Sequence, residues 1–132
     1  MKKILLSIVT CCAILFSFPA ISTAQDFCKT DPSFVKILND TSYATALEVT
    51  FLPGKTTNMH THPAFYAYVL EGGKLQVNYA DGDTEIIELK AGDSLFGMPE
   101  KPHNTVNLGT KPVKMLMIEM KDHPYMASAK MK

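Results

Sequence analysis

The sequence predicts an all-β fold, a sandwich or barrel of short strands, and two observations carry that prediction. From residue 43 onward, apolar and polar residues alternate with period two, the mark of strands with one buried face. Clusters of Gly, Pro and Asp punctuate this pattern at short, regular intervals, as turns between strands do.

Taken in order, the chain opens with a short basic stretch, Met1-Lys2-Lys3. An apolar run over residues 4–18 and a small-residue signature, Ser22-Thr23-Ala24, follow before Gln25. This reads as a secretory signal peptide over residues 1–24, so the mature chain is expected to be secreted or periplasmic, without stable membrane insertion once cleaved. An uncleaved anchor is the competing reading, because residues 4–21 nearly reach spanning length, but Pro19 and the serines interrupt the run. Cys11 and Cys12 lie too early for a lipid-modified cysteine and lack the small residues expected before one.

Residues 25–33 form a lead-in. Asp31-Pro32 could cap a helix carrying Phe34, Val35, Ile37 and Leu38, but the run is short and Asn39-Asp40-Thr41-Ser42 reads as a turn. Residues 34–38 are therefore assigned to a strand. Leu47, Val49 and Phe51 alternate with Glu48 and Thr50 on the next one. Residues 65–70 and 74–79 are expected to pair as a hairpin about Glu71-Gly72-Gly73, and Asp81-Gly82-Asp83 leads into residues 84–89. Ala91-Gly92-Asp93 turns the chain into residues 94–98; residues 103–108 and 113–120 complete the set around Gly109-Thr110-Lys111-Pro112. The last strand is apolar on both faces, Met115 and Met117 on one and Leu116 and Ile118 on the other. Such a strand belongs in a core or, alternatively, at a homodimer interface. The barrel is expected over residues 34–122 as a single domain, followed by a tail over residues 123–132 that is expected to be disordered beyond Tyr125.

Composition narrows the partners. Without the leader, eleven lysines face thirteen acidic side chains, a net charge of −2, and the chain holds no arginine. Nothing in that balance attracts nucleic acid, and no guanidinium clamp awaits a phosphate. Cys28 alone remains of three cysteines, so no intrachain disulfide forms, and no histidine lies near it in sequence to make it a catalytic thiol.

Two of the four histidines stand two residues apart, between the turn opener Pro53-Gly54 and the stop at Pro63. On a strand His60 and His62 point to one face, a chelate geometry, and His103 is a third imidazole about forty residues on. Imidazole suits zinc, copper, iron and nickel. The plainer reading is a solvent-facing pair with no ligand.

The company of these histidines resembles the cupin superfamily. Gly54, five residues, then His60-Thr61-His62 is similar to its first motif. Gly92, His103 eleven residues later and Asn107 four after that are similar to its second. The resemblance covers about residues 36–121 and implies a double-stranded β-helix, or jelly-roll barrel. It also implies a site of His60, His62 and His103 for one divalent transition metal, Fe, Mn, Ni, Cu or Zn. The sequence departs from the pattern twice. Pro99 is displaced, with Glu100 or Lys101 at the place of the second motif's glycine. The first motif's glutamate is also missing: two alignments put either Tyr66 or Phe65 there, and opposite sets of residues inside the barrel. The site so implied is similar to the all-histidine centres of thiol and diketone dioxygenases.

If their face is inward, Tyr66 and Tyr68 are the candidate catalytic side chains, as proton donors or orienters, although tyrosines in strands more often pack. Phe65 would only wall the pocket, and Met98 could line it. Asn107 reads as structural, sharing the direction of His103 only if that segment is helical or bulged. His123 is expected at the surface. Two classes of function stay open. One is a metal-dependent oxygenase, isomerase or lyase acting on a small organic molecule; the other is a non-catalytic barrel that binds a metal or small ligand. Polymer binding has no aromatic stripe to support it.

Overall fold

The computed structural model describes residues 26–126; the leader read over residues 1–24 and the tail beyond residue 126 lie outside them. A one-turn helix, α1 (Phe27–Thr30), comes first. Asp26 caps it by accepting from the Cys28 backbone N–H at 2.9 Å. The strands follow as β1 (Val35–Asp40), β2 (Ala44–Phe51), β3 (His60–His62), β4 (Phe65–Glu71) and β5 (Gly73–Tyr79), then β6 (Thr84–Leu89), β7 (Ser94–Gly97), β8 (Glu100–Asn107) and β9 (Val113–Met120). They form two antiparallel sheets in the orders β1-β2-β9-β4-β7 and β3-β8-β5-β6. This is the all-β arrangement that the alternation predicts and the jelly roll that the resemblance implies. Among the described residues no helix is long and apolar enough to cross a membrane.

Three local expectations change. The turn expected from Asn39 starts later, because Asn39 and Asp40 stay in register with Ala46 and Thr45 of β2. The hairpin expected from residues 65–70 and 74–79 does not form: β4 pairs with β7 and β9, β5 with β6 and β8, so the chain changes sheets at Gly72. A side chain at Gly72 would meet the Lys90 Cα at 2.8 Å, so glycine permits the close crossing. Finally, β8 begins at Glu100 and continues through Pro102, where the sequence reads as a punctuated loop.

Between the sheets lie Leu47, Val49 and Phe51 of β2, Phe65, Ala67 and Val69 of β4, and Val113, Met115 and Met117 of β9. Leu75 and Leu89 meet them from the second sheet. Burying each large apolar side chain contributes about 1.5–3 kcal/mol, which clamps the sheets and fixes the inward phase of every strand. That phase decides the question left open at β4. Phe65 points inward at 8% exposure, whereas Tyr66 and Tyr68 point outward at 47% each.

Part of the outward face of the larger sheet is apolar and exposed, beside the charged Glu48 and Lys114. Ile118 and Leu116 of β9 are exposed rather than sealed in a core, with Tyr66 in register between Ile118 and Phe96, and Tyr68 opposite Leu116. An exposed aromatic group therefore exists where the sequence shows no stripe, because β4 and β7 bring it together only by pairing.

Candidate metal centre

Strands β3 and β8 deliver the histidines. His60 and His103 are cross-strand partners, and His62 follows on the same inward face, so all three imidazoles are buried together. One ligand nitrogen from each lies within 4.8 Å of the other two. The predicted chelate pair and the distant third histidine thus meet in one place.

Hydrogen bonds at the outer edge of each ring set the chemistry at its inner edge. His60 Nδ1 donates to the Asn58 carbonyl at 2.8 Å and His103 Nδ1 to the Lys101 carbonyl at 2.8 Å. His62 Nδ1 donates to the Glu119 carboxylate at 2.6 Å. A carbonyl only accepts, and so does the Glu119 carboxylate once ionised, above its raised value of about 7, so each Nδ1 then carries the proton and each Nε2 presents a lone pair. His60 Nε2 and His62 Nε2 stand 3.1 Å apart. Two lone pairs at that separation repel unless a cation lies between them, and three converging imidazole nitrogens fit a transition-metal ion.

Burial keeps the rings neutral. It is the main cause that lowers His60 to about 3, His62 to about 4 and His103 to about 4, with neighbouring imidazoles adding to the effect at His60 and His103. Asp31, itself buried, stands 3.7 Å from His60 Nδ1 and holds the Asn58 loop by accepting from its backbone N–H at 2.8 Å. Phe27 closes the outer side, stacked on His60 at 4.2 Å between ring centroids and edge-on to His62 at 5.0 Å. The lead-in is therefore part of the centre.

On the inner side a cavity of about 80 Å³ runs between the sheets, lined by His62, His103, Phe65, Glu100 and apolar side chains including Leu75 and Met117. It has room for a few waters or a small organic molecule. Glu100 sits partly exposed at this cavity with its Oε2 3.4 Å from His103 Nε2. Burial, then Glu85, raises its carboxyl to about 7.

Tyr66 and Tyr68 do not reach the cavity, which corrects the candidate catalytic pair: the core fixes β4 in the opposite phase. Met98 is 69% exposed and does not line this cavity. Asn107 does share the inward face of His103, because residues four apart on a strand point the same way. Its work is structural, donating to the Phe51 and Lys111 carbonyls at 2.8 Å each and accepting from Gly109 N–H at 2.8 Å. His123 is exposed. Burial, reinforced by Glu119 and Asp26, pushes the Cys28 thiol up to about 12, far from a nucleophilic thiolate.

The carboxylates were the missed residues. Glu119 was legible: it ends the inward row Val113, Met115, Met117, where a charge is out of place unless it has a partner. Glu100 and Asp31 carried no such signal.

Comparison with known proteins gives the same frame. The family model described as Cupin domain matches residues 47–119. Among solved structures, a cupin domain from Bordetella pertussis Tohama I is 23% identical with a TM-score of 0.60, over 66% of this chain and 91% of that one. An rmlC-like cupin family protein with a double-stranded β-helix fold, from Methanocaldococcus jannaschii, is 10% identical with a TM-score of 0.54, over 65% and 77%. A cupin superfamily protein from Desulfitobacterium hafniense DCB-2 is 18% identical with a TM-score of 0.50, over 65% and 74%. These likenesses speak for the fold. No curated protein matches the chain.

Proposed function

Since the chain belongs to the cupin family, we propose that it is a secreted or periplasmic metal-binding cupin in which His60, His62 and His103 hold one divalent transition-metal ion, Fe, Mn, Ni, Cu or Zn. The observation that carries this reading is the set of three Nδ1–H groups, all engaged outward, which leaves three Nε2 lone pairs converging with no donor among them. The export reading rests on the basic start, apolar run and small-residue signature of residues 1–24.

Such an ion supplies Lewis-acid or redox chemistry at its open positions. The chain's part is to hold the rings neutral, to exclude solvent with Phe27, and to offer a small, mostly apolar cavity beside the Nε2 atoms. We assign it to a metal-dependent enzyme, an oxygenase, isomerase or lyase, acting on a small organic molecule. Glu100 is the carboxyl that lines that cavity. The second reading, a non-catalytic barrel, is favoured by the cavity's size, which admits only a few heavy atoms. A homodimer would use the apolar outer face of Tyr66, Ile118 and Phe96; Ile118→Lys should then convert a sedimenting dimer to monomer without unfolding it.

The test is elemental analysis of the mature chain, purified without chelator or affinity tag, beside His60→Ala and His103→Ala. Near-stoichiometric metal in the parent that is lost in both variants is the expected result. A parent that holds no metal even after reconstitution overturns the reading.

A further inference from the structure

His60 faces His103 across one rung of the β3–β8 ladder, and His62 faces Glu100 across the next. Between these rungs β3 spends one residue, Thr61, while β8 spends two, Lys101 and Pro102. The ladder is therefore bulged. The bulge has a consequence for direction. In an unbroken strand, a residue three before His103 would point to the opposite face. The extra residue restores the phase, and Glu100 turns inward to line the cavity with His62 and His103.

Its neighbours hold it there. Lys101 takes the outward direction, its ammonium bonded to Asp81 and, at 3.1 Å, to Asp83, and lying 4.6 Å above the Tyr79 ring. The Lys101 carbonyl meanwhile accepts from His103 Nδ1. One short segment thus aims His103 and Glu100 at the same point. Glu100 Oε2 lies 3.4 Å from His103 Nε2, and the His60 and His62 Nε2 atoms lie 3.1 Å apart. Atoms bound to one ion by bonds of about 2.1 Å stand about 3.0–3.4 Å from their neighbours, so both spacings suit a shared ion.

We propose that Glu100 is a fourth protein ligand of this centre, a carboxylate supplied by the strand of the third histidine. The inference rests on the three-histidine reading above. Three neutral imidazoles leave the full charge of a divalent ion in a buried site, which is costly unless an anion offsets it. The inward position on β4 holds Phe65, which cannot do this. Among the carboxylates near the rings, Glu119 and Asp31 lie on the Nδ1 side, and Glu100 lies on the Nε2 side.

The experiment uses cobalt(II) alone as the probe. Visible absorption and chelator competition are recorded for the full mature chain, for Glu100→Gln and Glu100→Ala, and for His60→Ala. Circular dichroism confirms the fold of each. The expected result is a changed cobalt spectrum and affinity lower by about tenfold or more in both Glu100 variants, with added acetate moving the Glu100→Ala spectrum back toward the parent's. Glu100 variants that match the parent in spectrum and affinity, while His60→Ala binds none, would overturn the fourth ligand and leave the three-histidine centre standing. A parent that binds no cobalt overturns both.

Discussion

Replacing Glu119 with glutamine should weaken metal binding while leaving the metal-free protein at least as stable at pH 8. Glu119 Oε1 accepts from His62 Nδ1 at 2.6 Å, with both side chains under a tenth exposed. A hydrogen bond to a charged partner contributes about 1.5–3 kcal/mol and a neutral one about 1. The amide can still accept from Nδ1–H, so ring orientation and tautomer survive; what is lost is the extra strength the charged bond gains when the ring carries the ion's charge, roughly 1–2 kcal/mol. At about 1.4 kcal/mol per decade this predicts a dissociation constant about tenfold higher, within the range typical of groups that orient a ligand histidine.

Stability of the metal-free chain should move the other way. Burial, then Asp26, raises the Glu119 carboxyl to about 7, so at pH 8 it is ionised at a cost that a neutral amide does not carry. The assay is zinc(II) titration against a competing chelator at pH 8, paired with urea unfolding in excess chelator. Glu88→Gln, at an exposed ion pair with Lys74, serves as the control and should change neither. A dissociation constant within twofold of the parent would refute the argument, as would an affinity loss matched by an equal loss of metal-free stability.

Other expectations follow from the same geometry. In chelator, stability should fall as pH falls from 6 to 5. The three histidines, depressed to about 3–4, bind three fewer protons than in the unfolded chain, while Glu100 and Glu119, raised to about 7, bind two more. The net deficit of one proton predicts about 1.4 kcal/mol lost per pH unit, and urea midpoints that rise toward pH 5 would contradict it. Gly97→Ala would drive a methyl group into the Phe65 ring beside His62. It should cost about 1–3 kcal/mol in thermal or urea unfolding and lower metal affinity with it. Asn107→Ala should cost about 3 kcal/mol in unfolding experiments, because it strands the Phe51 and Lys111 carbonyls and the Gly109 N–H near the core; a loss under 1 kcal/mol would show that water replaces the amide.

Features that are local and periodic can be read from the chain before it folds. The alternation of Leu47, Val49 and Phe51, and of Val113, Met115 and Met117, specifies strands and an inward face, because the pleat repeats every two residues. The same rule joins His60 to His62, and the resemblance of the stretches after Gly54 and Gly92 to the cupin motifs implies His103 as their partner. Features that depend on contacts between distant strands are set by the fold. Core packing on both sides of β4 turned Phe65 inward and sent Tyr66 and Tyr68 out. The close crossing at Gly72 put β4 and β5 in different sheets, although a short Gly-containing turn between two strands reads as a hairpin. Phe27 and Asp31 joined the centre from a lead-in that shows no strand pattern at all. The phase of Glu100 is the clearest case. Counted along its own strand it belongs on the opposite face from His103, and one extra residue in the pairing with β3 reverses that. A bulge is a property of two strands in register, and a single strand's sequence does not contain it.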